Sequence, residues 1–331
     1  AYGSLLTAPI TIGFGGSVGL EGPMVVTGAG ISSQIARLFH INQSDRMLLL
    51  ACACAAALAA IFKVPLAGIL FAIEVFGLDL TLSSLLPLFL ASLSGVLTSY
   101  LFFGNAALLP IQVSGSFLMR NIPFYLLLGV VGGFMSAYFT FVYERVNRFF
   151  ARFSSPYVRL LIGGAILGLL VFLMPPLYGE GHEVINHLKE GHPELSLGDN
   201  IFGWDLHNPW IIILLLAGLA FSKVVATSVT FGAGGVGGIF SPMLFMGGVM
   251  GNCFARIINQ IEWLPHKLPL ANFTLIGMTA LMTGVLHAPL TAIFLIAEVT
   301  GGYALFVPAM VTAVISFSIA KYFNKYSIYT M

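Results

Sequence analysis

Long apolar stretches without a charged side chain dominate the chain. Asp, Glu, Lys and Arg are absent from eight of them, at 22–36, 47–62, 80–119, 121–143, 160–179, 224–255, 269–297 and 299–320. Several contain the roughly 20 apolar residues that a helix needs to cross a bilayer. Residues 48–60 are continuously apolar, without the alternation of a membrane β-strand. The pattern therefore predicts an all-α integral membrane protein with many spans.

Some apolar pieces between prolines and glycines are shorter than a full span. Examples are 47–62 and 289–300. Short, interrupted segments are typical of discontinuous helices that end inside the membrane. Backbone groups freed at such breaks are tolerated only where protein or a water-filled cavity satisfies them. We therefore expect a bundle of tilted and broken helices around a polar cavity.

Composition supports lipid as the surrounding medium. Of 331 residues, 58% are hydrophobic and 8% charged, and mean hydropathy is +0.96. The net charge of +1 gives no reason to expect a nucleic-acid partner. Three cysteines lie in apolar stretches and are predicted to be free, buried thiols: Cys52, Cys54 and Cys253. No nucleophile–base set, nucleotide loop or cofactor motif is present, so neither an enzyme nor a cofactor is expected.

An internal repeat organises the chain. The segment KVPLAGILFAIEVFG at 63–77 aligns without gaps to HAPLTAIFLIAEVTG at 287–301, with six identical positions. A glycine-rich motif precedes each copy, GLEGP at 19–23 and GIFSP at 238–242. Two elements repeated in the same order predict two homologous halves, which in a membrane transporter are commonly inverted relative to each other.

The repeat also suggests domain limits within one transmembrane domain. Residues 1–103 would form the C-terminal part of the first half, 104–125 would connect the two halves, and 126–331 would form the second half. The second half has two long apolar stretches before its glycine motif and the first has none, so helices are expected to precede residue 1. A short basic loop is predicted to lie on the cytoplasmic side, because it contains Arg145, Arg148, Arg152 and Arg159. The acidic loop at 180–208 is predicted to lie on the opposite side of the membrane.

Each glycine motif is predicted to begin a helix that binds an anion. Proline suits the first helical turn because the N–H that it lacks would be unpaired there anyway. The other N–H groups of that turn and the positive end of the helix dipole attract anions. Two such starts meeting near the bilayer midplane could hold an anion without Lys or Arg. The alternative is that the glycines only permit close helix packing.

Glu21 is the sharpest single candidate because it lies at a helix start in an uncharged stretch. Carboxylates inside a membrane are costly and usually functional. An ionised Glu21 would occupy the N–H groups assigned to the anion, and protonation would release them. This predicts a gate opened by acid or by a competing anion. The alternative is a glutamate that permanently caps its own helix.

These residues resemble the CLC family of chloride channels and transporters. The resemblance rests on GLEGP, GIFSP, PLAGILF at 65–71 and SIYT at 327–330. It implies a homodimer with one anion pathway per subunit and Glu21 as the gating glutamate. It also implies anion binding by the helix start at Leu20, Glu21 and Gly22, by the N–H groups of Ile239 and Phe240, and by the Tyr329 hydroxyl.

Three departures from the family pattern matter. The early Gly-Ser-Gly-Ile-Pro segment is not present, and Leu20 stands where many members have Arg or Lys. Proton-coupled members usually carry a second glutamate directly after the position of Glu74, and Val75 stands there instead. Because valine cannot relay a proton, the resemblance implies channel-like, or at least poorly coupled, flow.

Two other groups of residues have weaker claims. Glu74 and Glu298 occupy equivalent repeat positions, and we expect them to cap helices and pair at the membrane edge rather than transfer protons. His182, His187 and His192 could ligate a metal. Their spacing of five does not place them on one helical face, so a solvated loop without a metal is expected.

The leading hypothesis is a gated, passive anion channel in the bilayer with chloride as the transported ion. Alternatives are a proton-coupled chloride exchanger or a fluoride exporter of the same fold, and a non-transporting membrane scaffold. We expect a multi-pass integral membrane protein, located in the plasma (inner) membrane if the source is bacterial.

Overall fold

The computed structural model describes residues 2–104, 118–198, 203, 206, 208–261 and 266–329. Within these ranges the chain forms helices and no strand longer than a single bridge. The helices are α1 (Tyr2–Gly13), α2 (Glu21–Leu38), α3 (Gln43–Phe62), α4 (Pro65–Phe76), α5 (Leu82–Phe103), α6 (Ile122–Phe150), α7 (Pro156–Leu173), α8 (His182–Glu190), α9 (Glu194–Leu197), α10 (Pro209–Gly232), α11 (Phe240–Asn259), α12 (Leu270–Leu286), α13 (Pro289–Val299) and α14 (Phe306–Phe323). Most of the predicted connecting segment 104–125 lies outside the described residues, as does Thr330, so the limits of the halves stay a prediction.

Six helices in the described ranges are long and apolar enough to cross a membrane, which confirms the predicted multi-pass architecture. They are α3, α5, α6, α7, α10 and α14. The prediction that 47–62 is too short for a span was wrong. Helix α3 begins at Gln43, because the Asn42 side chain accepts a hydrogen bond from the Asp45 N–H at 2.9 Å and caps the helix four residues earlier.

Helices α4 and α13 confirm the prediction of short helices. They contain 12 and 11 residues, which is about 18 Å of helix against about 30 Å of hydrocarbon. Both begin at the proline of the internal repeat. The two residues before each proline have matching backbones, since Lys63 and His287 both have positive φ, at 59° and 58°.

The carboxylates of Glu74 and Glu298 cap helices of the opposite half. Glu74, on α4, accepts hydrogen bonds from the N–H groups of Leu290 (2.9 Å) and Thr291 (2.8 Å) at the start of α13. Glu298, on α13, accepts from Leu66 (3.0 Å) and Ala67 (2.8 Å) at the start of α4. These N–H groups have no partner within their own helices. The capping role expected from the sequence is confirmed, and the reciprocity gives the two halves a two-fold relation.

Replacing Glu298 by Gln is expected to lower the free energy of unfolding by about 1–3 kcal/mol, because hydrogen bonds to a charged acceptor are lost in a partly buried site. Glu190→Gln is the control, since Glu190 is exposed on α8. Thermal unfolding in detergent micelles measures the difference. Equal melting temperatures for the two variants would contradict a stabilising cap.

The centre of the bundle is formed by α11 and α12, which are buried along almost their whole length. They approach closely because glycines face each other, and a Cβ on Gly277 would lie only 2.2 Å from the Gly247 carbonyl oxygen. The three cysteines are free and buried, as predicted.

Candidate functional site

The two glycine motifs meet directly. The Gly19 N–H donates to the Gly238 carbonyl at 2.9 Å, and the Gly238 N–H donates to the Gly19 carbonyl at 2.7 Å. These bonds form an isolated antiparallel bridge just before α2 and α11 begin. The two helix starts, which are 219 residues apart in the chain, therefore lie side by side in opposite orientation.

Threonines of the preceding helices fix each turn from the other half. The Thr230 hydroxyl accepts from the Ser17 N–H at 3.2 Å, and the Thr11 hydroxyl accepts from the Val236 N–H at 3.1 Å. Each turn also contains a glycine with positive φ, which is 96° at Gly15 and 98° at Gly234. Both turns are thus built by the same cross-braced arrangement, so the helix starts are rigidly placed.

Close packing and an anion site are compatible here. A Cβ on Gly22 would lie 2.8 Å from the Gly238 Cα, so glycine is needed for the two backbones to touch. The first N–H groups of α2 and α11 nevertheless have no acceptor within their own helices. The glycines bring the positive ends of two helix dipoles to one point.

The Glu21 carboxylate bridges the two helix starts. Glu21 is the first residue of α2, and its side chain is buried, with 2% of the residue exposed. Its Oε1 accepts a hydrogen bond from the hydroxyl of Ser241, the second residue of α11. Its Oε2 is buried and has no hydrogen-bond partner among the described residues. A permanent cap would satisfy both oxygens, so the arrangement favours a carboxylate that can leave.

One cavity brings most of the predicted site residues together. It has a volume of about 400 Å³. The predicted residues on its wall are Glu21, Gly22, Ile239, Phe240, Tyr329 and Val75. We call it the inner cavity. Leu20 is absent from its wall.

Aromatic rings enclose the inner cavity. The Phe240 ring packs against Phe62 and Phe71, with centroids 5.4 and 6.4 Å apart, and the Phe71 ring meets Tyr329 edge-on at 6.5 Å. The wall is mostly apolar, so the helix starts are its main source of positive potential. That these residues bind an anion stays a prediction.

A second, larger cavity of about 1020 Å³ lies along α2, α3 and α5. We call it the outer cavity. Leu20, Glu21 and Glu180 are on its wall. Among the described residues, Glu21 alone lines both cavities. Its side chain therefore lies against both spaces.

The sequence analysis missed Glu180. This residue follows α7, outside the spanning helices, and its Oε1 accepts a hydrogen bond from the Leu20 N–H at 2.8 Å. The predicted anion-binding N–H of Leu20 is thus occupied by a carboxylate of the chain itself. Burial, and then the neighbouring Glu21 carboxylate, raise the pKa of the Glu180 carboxyl, while His182, the Leu20 N–H and Lys223 oppose the rise.

The expectation that His182 lies in a solvated loop was wrong. His182 begins α8, and only 11% of its side chain is exposed. Its Nε2 lies 3.1 Å from the Ser241 hydroxyl, 3.5 Å from Glu180 Oε2 and 3.7 Å from Glu21 Oε1. The long chain connection after α7 folds back onto the glycine turns and buries it. His187 and His192 instead hydrogen-bond to neighbours near α9.

A buried lysine beneath this connection was also missed. Lys223, on α10, is 0% exposed. Its ammonium donates to the carbonyls of Gly179 (2.8 Å) and Leu177 (3.4 Å) and lies 4.6 Å from the centre of the Phe245 ring. A lysine inside an apolar helix is a signal that could have found it. Lys223 fixes the segment that carries Glu180.

The potential metal ligands Glu21, Glu180 and His182 have ligating atoms within 4.8 Å of one another. One oxygen of each carboxylate already accepts a hydrogen bond, from Ser241 and from Leu20. The expectation from the sequence that no metal binds here stays a prediction.

Comparison with known proteins gives a family and a fold. The family described as voltage gated chloride channel matches residues 1–321. The putative chloride channel protein ClcB-like of Ralstonia nicotianae is 29% identical over 332 residues, which cover 96% of this chain and 71% of that protein. The H(+)/Cl(-) exchange transporter ClcA of Klebsiella pneumoniae subsp. pneumoniae is 30% identical over 329 residues, covering 97% of this chain and 66% of the relative.

A solved structure, the X-ray crystal structure of a slow cyanobacterial Cl⁻/H⁺ antiporter, superposes with a TM-score of 0.80 at 24% identity. The match covers 99% of this chain and 75% of the other. At this identity the likeness shows the fold, and it confirms the predicted helical architecture. With a family match that covers almost its whole length, the chain belongs to the voltage gated chloride channel (CLC) family and is an integral membrane protein of anion transport.

Proposed function

We propose that this chain lets chloride, or a similar small anion, pass through the membrane along a path that the Glu21 carboxylate closes. The observation that carries the proposal is the place of Glu21 between the inner and the outer cavity. An anion moving from one cavity to the other must pass the point where this carboxylate lies. Displacing or protonating the carboxylate opens the path.

Partial charges give the path its preference for anions. The starts of α2 and α11 meet at the Gly19–Gly238 bridge, so their positive dipole ends act on the same volume. Among the residues that the structure describes, no lysine or arginine lines the inner cavity. An anion held by partial charges dissociates more readily than one paired with a buried cation, which favours rapid passage.

Passive flow is the form of transport that we propose. Val75 lies on the wall of the inner cavity, at the position where the family's coupled members usually carry a glutamate, and its side chain has no titratable group. The Ralstonia nicotianae relative is named a putative chloride channel protein. By the family resemblance, we further propose that the functional unit is a homodimer with one path in each subunit.

Proton-coupled exchange is the second candidate. It is supported by the Klebsiella pneumoniae relative, which is named an H(+)/Cl(-) exchange transporter and is 30% identical. It is also supported by the contact of Glu21 with His182, which gives protons a route to the gate from one side. Fluoride in place of chloride is compatible with either form.

Flux from liposomes that contain the full-length protein tests the proposal. Chloride efflux and the pH on both sides are recorded together, with protein-free liposomes as the control. We expect chloride efflux without proton movement. Proton movement opposite to chloride, in a fixed ratio, would contradict passive flow and support exchange. The absence of any anion flux would contradict transport and support the hypothesis of a non-transporting scaffold. Repeating the assay with fluoride gives the selectivity.

A further inference from the structure

The N–H of Leu20 already binds an anion of the chain's own. This N–H belongs to the residue just before α2, at the positive end of the helix dipole. The Glu180 carboxylate accepts its hydrogen bond at 2.8 Å, although the two residues are 160 positions apart. A carboxylate drawn from a distant segment shows that this point attracts negative charge.

Other donors surround the same point. The His182 Nε2 lies 3.5 Å from the second oxygen of Glu180 and 3.1 Å from the Ser241 hydroxyl. Lys223 holds the carbonyl of Gly179, the residue directly before Glu180, at 2.8 Å. The site is therefore built by α2, α8, α10 and α11 together, and it is not an isolated helix start.

The site also has hydrogen-bonding capacity that the described residues leave unused. Glu21 Oε2 and His182 Nδ1 are buried and have no hydrogen-bond partner there. Buried polar atoms normally have partners. The carboxylates of Glu21 and Glu180 both lie near the His182 imidazole and repel each other when both are ionised. Protonation or displacement of either carboxylate would relieve this repulsion.

We propose that the Leu20 N–H and the His182 imidazole form an outer anion-binding site, which the Glu180 carboxylate occupies as a tethered competitor. The proposal rests on the proposed function, since the ligand is the transported halide. Two carboxylates then act in series. Glu180 leaves the outer site first, the anion takes its place, and Glu21 leaves next.

Acid favours the release of Glu180. The pKa of Glu180 is raised, with burial as the main cause and the Glu21 carboxylate as the second. As the pH falls through this raised value, Glu180 becomes neutral and loses its charge-assisted hydrogen bond. The groups that face it are Glu21 from α2, His182 from α8 and Lys223 from α10. A proton on the imidazole of His182 would add positive charge beside the site and strengthen it for an anion.

Bromide binding to the purified full-length protein tests the site directly. Glu180→Ala vacates the Leu20 N–H and is expected to show an anomalous bromide peak next to it, which the wild type lacks. Bromide affinity measured by calorimetry should rise about tenfold, the size expected for the loss of one charge-assisted competitor. Glu180→Gln, which keeps the side chain's size, serves if the alanine variant does not fold.

Glu183→Gln is the matched control, because Glu183 lies three residues away, is exposed on α8 and carries the same charge. It should behave like the wild type. The proposal is overturned if Glu180→Ala and Glu180→Gln show no bromide at Leu20 and bind bromide within twofold of this control.

Liposome flux gives a second, independent measurement. In Glu180→Gln, the chloride concentration for half-maximal flux should fall about tenfold when chloride enters from the side of α8. An unchanged value would overturn the outer site. Absence of flux in both the wild type and Glu183→Gln would instead contradict the proposed function. The bromide-binding experiment would then still decide whether the outer site exists.

Discussion

Replacing Glu21 by Gln is expected to raise anion flux at neutral pH by about tenfold or more and to remove most of its pH dependence. A charge-assisted hydrogen bond contributes about 1.5–3 kcal/mol, which corresponds to a factor of about 10–100 in the population of the open state. Glutamine has the same size as glutamate but no charge, so it competes weakly with an anion at the two helix starts.

The direction of the pH effect follows from the charge. In the wild type, an ionised Glu21 closes the path and a protonated one opens it, so flux should rise as the pH falls. Glu21→Gln imitates the protonated form at every pH. Chloride efflux from liposomes, recorded from about pH 4 to about pH 8, measures both quantities.

Glu144→Gln controls for the loss of one negative charge, because Glu144 is on α6 and forms an exposed ion pair with Arg148. It should leave the pH profile unchanged. If Glu21→Gln keeps the wild-type pH profile and flux, Glu21 is not the gate, and the permanent-cap alternative becomes the better account of this residue.

The second large effect is expected from Gly238→Ala. A Cβ at this position would lie 2.6 Å from the Gly22 nitrogen and 3.0 Å from its Cα, and both are backbone atoms that cannot turn away. The helix starts must separate, which breaks the two hydrogen bonds between Gly19 and Gly238. We expect the protein to lose about 2–4 kcal/mol of stability and most of its flux.

Gly164→Ala provides the control for adding a methyl group to an apolar helix. Gly164 is on α7, and no atom of the described residues lies within 4 Å of the added Cβ. Alanine there should leave flux unchanged and should stabilise α7 by about 0.5–1 kcal/mol. Thermal unfolding in micelles and liposome flux compare the two variants. Equal stability and flux would show that the bridge between the turns is dispensable.

Several features of this protein follow from residues that are close together in the chain. Uncharged stretches predicted the spanning helices, and Pro65 and Pro289 marked the starts of α4 and α13. The repeat identified the two helix starts as a related pair before any contact was known. Glu21 stood out because a carboxylate at a helix start in an apolar stretch is costly anywhere in a membrane. Local pattern is enough for such features because helix start, hydropathy and desolvation depend on near neighbours.

The tertiary structure decided the rest. The Gly19–Gly238 bridge, the caps that Glu74 and Glu298 form on the opposite half, and the contact of Glu180 with Leu20 join residues 160 to 232 positions apart. Neither the spacing nor the hydropathy of the chain specifies which carboxylate meets which N–H. Glu180 and His182 follow α7 in a polar segment that predicts solvent exposure, and only the packing of α8 against the central helices buries them.

The site at the glycine motifs depends both on local sequence and on tertiary packing. Residues adjacent in the chain are enough to show that two matched helix starts exist and that one of them carries a carboxylate. The fold determined that they touch and that Glu21 lies between two cavities, with a second carboxylate on the Leu20 N–H. The physical reason is that a helix start is encoded by a few adjacent residues, whereas a shared electrostatic site exists only once distant backbones have packed together.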